Sequence, residues 1–393
     1  MSAAILTVNA GSSSIKFALF ATEPVLHCIA NGAIEKAGTG QHFYAHDDAG
    51  RLCAMRDWPD HEAVSPHDLL TPLIDWVTSH LGDCTLVAIG HRIVHGGTAF
   101  SEPVDLSPAH LRTLEELSPL APLHQPASLA AIKAMMNLRP LVRQIGCFDT
   151  AFHHGADELV TRLALPRQYF DQGVRRYRFH GISYEYIARR LRVLAPALAA
   201  GYVIAAHLGN GASVCAMKDG RSVDSSMGFT ALDGLIMGTR CGTIDPGVLL
   251  YLCQTDGMTP DQVSHLLYDK SGLLGISGIS SDMRILLASA DAHAAQAVAI
   301  FVYRAAYDIS ALIASLGGLD CIVFTAGIGA HAPAIRAAIC ARLAWLGIII
   351  DDECNQNNAT IISAPNSKIQ IMVIPTDEQA MIAQHCVEHL ART

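Results

Sequence analysis

The sequence lacks a long apolar run, an excess of positive charge and any paired cysteine motif. Stretches such as Ala297–Tyr303 and Leu343–Ile350 hold seven and eight residues. A membrane-spanning helix needs roughly 18, so no membrane span is expected. Charged residues are only 16% of the 393, and the net charge is −9. Polyanions would be repelled, which argues against nucleic acid and acidic membrane surfaces as partners. Eleven cysteines scatter from Cys28 to Cys386 with no CxxC spacing. An odd set of dispersed thiols fits a reducing, cytoplasmic compartment better than a disulfide scaffold. The N-terminus shows no secretory pattern; Ile5–Val8 reads as a first strand.

What the chain has in quantity is apolar residues, 51% of the total. That is ample for cores, and the length suggests about two domains at ~100–200 residues each. Strands are expected at Ile5–Val8, Ile15–Phe20, Leu86–Val94, Tyr202–Leu208, Ser213–Met217, Cys321–Thr325 and Ile369–Ile374. Helices are expected at Pro126–Met136, Tyr184–Leu194, Ala292–Leu316 and Pro333–Leu346. In the last, Ile335, Ile339, Leu343 and Leu346 share a face, with Arg336 and Arg342 off it. The alternation predicts an α/β architecture. A weak repeat supports two lobes: a strand, a glycine turn and a second strand begin at Ile5 and recur at Val203.

Several segments invite chemistry. The turns Asn9-Ala-Gly-Ser-Ser-Ser and Gly209-Asn-Gly-Ala-Ser lack bulky side chains, so backbone N–H groups can approach an anion. They also read as plain hairpins, and neither matches a P-loop or GxGxxG fingerprint. Phe324-Thr-Ala-Gly-Ile-Gly-Ala runs from a strand into a helix, a place for a nucleotide. His91 and His95 have zinc-like spacing, but on a strand they lie ~13 Å apart and cannot share a metal. Arg92 falls near that strand's C-terminal end, where α/β sheets place ligand groups. Asp149 follows an apolar pair, as a magnesium anchor or a helix cap. Arg175-Arg-Tyr-Arg-Phe-His180 is a cationic and aromatic cluster, read here as an anion site over a solvated face. Arg240 sits between Gly238 and Gly242 as a working group. Thr376 and Gln379 have capping-box spacing, and Glu378 between them also suits the helix dipole.

Taken together, these residues resemble the acetate kinase family, in the acetate and sugar kinase/heat-shock/actin superfamily. The segments are NAGSSSIKF (9–17), GHRIVHGG (90–97), LAPLHQP (120–126), FDTAFH (148–153), RRYRFHG (175–181), HLGNGASV (207–214), SVDSSMGFTALDGLIMGTR (222–240), SGLLGISGISSDMR (271–284), FTAGIG (324–329) and IPTDE (374–378). The resemblance implies two ribonuclease-H-like lobes, a duplicated actin-like ATPase fold with an interdomain active-site cleft, usually as a homodimer. The lobes would be residues 1–150 with 380–393, and residues 151–379. Asn9, Ser12, Ser14 and Lys16 would form the first phosphate loop, and His207, Leu208, Gly209, Asn210 and Gly211 the second. Asp282, Met283 and Arg284, with Gly327, Ile328 and Gly329, would hold the adenosine. Arg92, His124, Asp149, His180 and Arg240 match the catalytic set. Asn9, Asp149 and Glu378 would hold Mg2+, with Mn2+ as an alternative. Val94, Leu123, Phe179 and Ala231, with Arg92, would bind the substrate.

The chain departs from the family pattern at Thr98, Gln125, Ile182, Tyr184, Ala330, His331 and Gln379. Ala231 stands where proline is usual, which leaves room for propionate beside acetate. The implied reaction is reversible transfer of the ATP γ-phosphoryl group to acetate, giving acetyl phosphate and ADP. A carboxylate needs no general base, so catalysis would be charge neutralisation and alignment. A conformational ATPase of the same superfamily is the alternative, although the Arg/His set is more than a nucleotide switch requires.

Overall fold

The computed structural model describes residues 2–11, 14–37, 40–58, 66–122 and 124–393, with Lys36, Ala37 and Pro66 by backbone alone. Ser12 and Leu123 lie outside the described residues. The chain divides into two compact units, Met1–His154 with Asp377–Thr393, and Gly155–Thr376. These boundaries fall a few residues from the expected 150/151 and 379/380, and they put Asp377, Glu378 and Gln379 in the first unit.

The first unit holds an eight-stranded sheet. Its strands are β1 (Ala3–Ala10), β2 (Ser14–Ala21), β3 (His27–Ala37), β4 (Gly40–Asp47), β5 (Leu52–Trp58), β6 (Thr85–Ile93), β7 (Val104–Asp105) and β8 (Arg143–Phe148). The order is β5-β4-β3-β2-β1-β6-β8-β7. From β1 to β5 all pairs are antiparallel, while β1, β6 and β8 run parallel. The parallel strands are nearly continuous apolar runs because both faces are covered. One cover is the helix Glu378–Leu390. It lies so close to β6 that a Cβ on Gly90 would come within 2.6 Å of Cys386 Sγ and Ile382 Cγ2. Strands β3–β5, β7 and β8 are not among the strands expected from the sequence. Lys36, Arg56 and Asp57 interrupt the apolar pattern at an edge where β5 is mostly exposed.

The second unit holds β9 (Tyr202–Leu208), β10 (Ala212–Lys218), β11 (Arg221–Ser225), β12 (Cys321–Thr325) and β13 (Gln370–Val373), in the order β11-β10-β9-β12-β13. The plan matches the middle of the first sheet. A central strand has an antiparallel partner across a glycine turn on one side and parallel strands on the other. The turns close with Gly11 N–H to Ser14 O at 2.8 Å and Gly209 N–H to Gly211 O at 3.1 Å. The predicted repeat is therefore a repeat of topology.

Ala292–Leu316 is long and apolar enough to cross a membrane by length and composition. Short-run counting missed this, because charged residues are spaced along it. Its buried face, including Ala297, Phe301, Ala305, Ile309 and Leu312, packs on β9–β11. The predicted helix over 333–346 ends at Arg342 and continues as one 3₁₀ turn, Ala344–Leu346. Arg336, expected off the buried face, is fully buried. It donates to carbonyls of Gly329, Ala330 and Asn355 and to the side chains of Asn355 and Asn358, which offsets the cost of burying its charge.

Candidate active site

Because β1, β6 and β8 are parallel, their C-terminal ends lie side by side, each carrying a polar residue. Asn9 is on β1, Arg92 on β6, and Asp149 follows β8. The Asp149 N–H donates to Ile93 O at 3.0 Å, which locks this loop to the neighbouring strand. Arg92 Nε donates to both Asp149 oxygens at 3.1 Å, and Nη2 donates to Oδ2 at 2.6 Å. Nη1 donates to Asn9 Oδ1 at 3.2 Å and lies 3.6 Å from Glu378 Oε2. The Asn9 amide completes the set, donating to Glu378 Oε2 at 3.0 Å. Glu378 opens its helix, where the dipole favours a carboxylate.

Asp149 is 1% exposed, while Arg92 and Glu378 are 19% and 17% exposed. A ligand therefore meets Arg92 and Glu378 first. Burial opposes the Arg92 charge, but Asp149 and Glu378 outweigh it and hold the guanidinium above its ordinary pKa. Burial raises the Asp149 carboxyl, against the pull of Arg92. Two carboxylates share one guanidinium here. With both ionised the set is net negative, and its oxygen donors suit a hard divalent cation.

The second unit builds its own cluster around the Gly209–Gly211 turn. His180 has a left-handed backbone (φ 59°) and precedes the helix Gly181–Leu194. Its ring stacks on His207, at the end of β9, with centroids 4.2 Å apart. His180 Nδ1 and Tyr184 Oη both bond the Ser213 hydroxyl, at 2.8 and 2.5 Å. Ser183 Oγ joins His207 Nδ1 to Thr376 Oγ1, each at 2.9 Å. Arg240 is pinned by Nη1 donating to Ala231 O at 2.6 Å. A Cβ on Gly211 would come 2.9 Å from Arg240 Nη2 and 3.4 Å from His180 Nε2. Glycine thus keeps open the space that these two donors face.

Other expected site residues are more dispersed. Ser14 and the exposed Lys16 begin β2, and Lys16 pairs across from Asn9. His124 immediately precedes the helix Gln125–Leu138, and Val94 is buried just past β6. Asn210 abuts Gly238, whose N–H bonds its carbonyl at 2.9 Å. Asp282 caps the helix Met283–Ala288 and pairs with the exposed Arg284, while Met283 is in the core. Gly327 is exposed and Gly329 buried against β9 and β12.

Two readings need correction. The guanidiniums of the 175–178 cluster are not an anion site. Arg176 bonds the carbonyls of Ser225, Ser226 and Met227, Arg178 is buried on Val223 O, and Arg175 lies over the Phe170 ring. Only His180 of that segment joins the cluster. The cap of the last helix is Asp377, which accepts from Ala380 N–H, so Thr376 is free to bond Ser183. Gln125, a departure from the family pattern, brackets the 95–97 turn by bonding the N–H and carbonyl of His95.

Residues 4–384 match the acetokinase family. The chain belongs to the acetokinase family. An acetate kinase of Rhodopseudomonas palustris is 51% identical over 391 residues, covering 98% of both chains. A propionate kinase structure from Francisella tularensis has a TM-score of 0.90 at 36% identity, covering 98% of both. The Porphyromonas gingivalis acetate kinase structure has a TM-score of 0.85 at 36% identity, covering 99% of this chain and all of that one. The acetokinase match agrees with the two repeated sheets. Ser183 and Ser213 carried no chemical signal of their own in the sequence, and Thr376 only its capping-box spacing. Ser213 was findable only as the residue directly opposite His207 across a hairpin.

Proposed function

We propose that this acetokinase-family protein transfers the γ-phosphoryl group of ATP to acetate, reversibly and with Mg2+. A carboxylate oxygen forms the new bond to phosphorus as the bond to the β–γ bridging oxygen breaks and ADP leaves. No proton moves. The chemical demand is to bring two anions together, and the observation that carries the reading is the placement of fixed cationic and neutral donors. Arg92, held by Asp149 and Asn9, is charged and partly exposed. Arg240 and His180 face the space beside Gly211.

In this reading Arg92 and Arg240 neutralise the carboxylate and the transferring group, and His180 and His124 donate hydrogen bonds to its oxygens. Asn9, Asp149 and Glu378 hold Mg2+, with Mn2+ as a substitute; the bound cation supplies charge neutralisation of the ATP phosphates. Ser12, Ser14 and Lys16, and the turn from His207 through Leu208, Gly209 and Asn210 to Gly211, hold phosphates. Asp282, Met283, Arg284, Gly327, Ile328 and Gly329 take the adenosine. Val94, Leu123, Phe179 and Ala231 contact the acyl group. Ala231 in place of proline favours acceptance of propionate as a second acceptor.

We further propose a cytoplasmic homodimer. All eleven cysteines are free thiols, as a reducing compartment allows. Val248, Leu250, Tyr251, Ile285 and Leu287 are exposed apolar side chains of the second unit that supply contact area.

The test is an acyl-hydroxamate assay on purified protein with acetate, propionate and butyrate. Acyl phosphate formed from acetate or propionate is expected. Release of inorganic phosphate alone would favour the conformational ATPase instead.

A further inference from the structure

We propose that Tyr184 is a positioning residue that acts through Ser213 to set which nitrogen of His180 carries the proton. The inference rests on reading His180 as a hydrogen-bond donor to the transferring phosphoryl group.

The geometry is a short chain of three side chains. Tyr184 lies in the first turn of the helix that follows His180, and its N–H donates to the His180 carbonyl at 3.0 Å. Ser213 comes from β10 and is fully buried. Among the described residues its Oγ has two partners, Tyr184 Oη at 2.5 Å and His180 Nδ1 at 2.8 Å.

A serine hydroxyl has one proton, so Ser213 donates to one of these and accepts from the other. The phenol is the more acidic hydroxyl and the stronger donor. Burial holds Tyr184 well above its ordinary pKa, so it keeps that proton. Tyr184 therefore donates to Ser213, and Ser213 donates to His180 Nδ1. With Nδ1 an acceptor, the neutral ring carries its proton on Nε2. That nitrogen faces the space beside Gly211, next to Arg240 Nη2. The chain of hydroxyls thus delivers an N–H where the reaction needs a donor.

The phenol is what gives the chain its direction. With phenylalanine at 184, the Ser213 hydroxyl loses its donor partner and can equally accept from Nδ1–H. The ring then divides between tautomers, and part of the population presents a lone pair to a phosphate oxygen.

The experiment uses 15N-histidine-labelled full-length protein, with Tyr184→Phe and Ser213→Ala variants. Nitrogen chemical shifts read the His180 tautomer, and steady-state assays separate kcat from KM. Wild type is expected as the Nε2–H tautomer. Both variants should show mixed tautomers and a kcat lower by about tenfold, with KM for ATP and carboxylate within about twofold. Melting curves verify folding; if Tyr184→Phe does not fold, Ser213→Ala decides. An Nδ1–H tautomer in wild type, or an unchanged tautomer in the folded variants, overturns the proposal. Loss of acyl-phosphate formation in wild type would defeat the functional reading alone, since the spectrum still reports the tautomer.

Discussion

Arg92 stays charged at any working pH, because two carboxylates face it and a guanidinium titrates far above neutrality. Its bonds to Asp149 and Asn9 also fix its plane, so little order remains to be imposed when an anion arrives. Removing one such donor typically costs about 3–4 kcal/mol of transition-state stabilisation. Arg92→Ala and Arg240→Ala should each lower kcat by about 100-fold or more. A near-normal rate in either, with ATP binding intact, would contradict the assigned role. His91 and His95 behave differently. Both are buried and depressed to about 4, chiefly by burial. Below the unfolded value near 6.5, the unfolded chain takes up protons that the folded one refuses. Stability is therefore complete above about pH 6.5 and is lost as the pH falls toward 4, by roughly 3 kcal/mol per histidine. Urea titrations at a series of pH values should show that slope, and His91→Gln should reduce it.

At the scale of elements, the helix Glu378–Leu390 matters most. It brings Glu378 to the strand ends, and its seating depends on the missing side chain of Gly90. Gly90→Ala forces a methyl into Cys386 and Ile382, an overpacking that typically costs about 1–3 kcal/mol. Thermal melts should show a lower Tm, and activity should fall with it as Glu378 loses its place. If both are unchanged, the helix does not depend on this close approach. Much of this level was legible. Apolar runs marked β1, β2, β6, β9, β10 and β12, and the long helix was bounded at Asp291 and Gly317 by a cap and a left-handed glycine. The misses have physical causes. Strand β5 carries charge at an exposed edge, and Arg336 breaks an apolar face only because five bonds await it inside.

For the whole molecule, the inventory of Arg92, Asp149, Glu378 and Asn9 predicts how metal removal behaves. The carboxylates already have a cationic partner in Arg92, so the fold does not need a second cation to hold them. Chelation by EDTA should abolish acyl-phosphate formation while leaving circular dichroism and Tm unchanged, and added Mg2+ should restore activity. Unfolding on chelation would show that the cation is structural instead. Acceptor choice also belongs to this scale. One methylene changes discrimination by only ~1–3 kcal/mol, so kcat/KM for propionate should lie within about 200-fold of acetate. A wider gap, read from the substrate panel, would show a pocket closed by more than Ala231.

Local pattern by itself determined the strand–glycine–strand repeat, the α/β class, and the placement of Arg92 near a strand's C-terminal end and of Asp149 after an apolar pair. Each depends only on neighbours in the chain: a period of apolar residues, a turn free of bulk, a polar residue where a run stops. Tertiary structure alone decided which polar groups meet. Asn9 and Glu378 are 369 positions apart and share a hydrogen bond; Ser213, set opposite His207 by the hairpin register, bonds His180; Arg176 turns to backbone carbonyls and to Asp233. Such pairings follow from how sheets and helices stack, and nothing in the local sequence distinguishes a guanidinium that will serve a ligand from one that will serve its own chain.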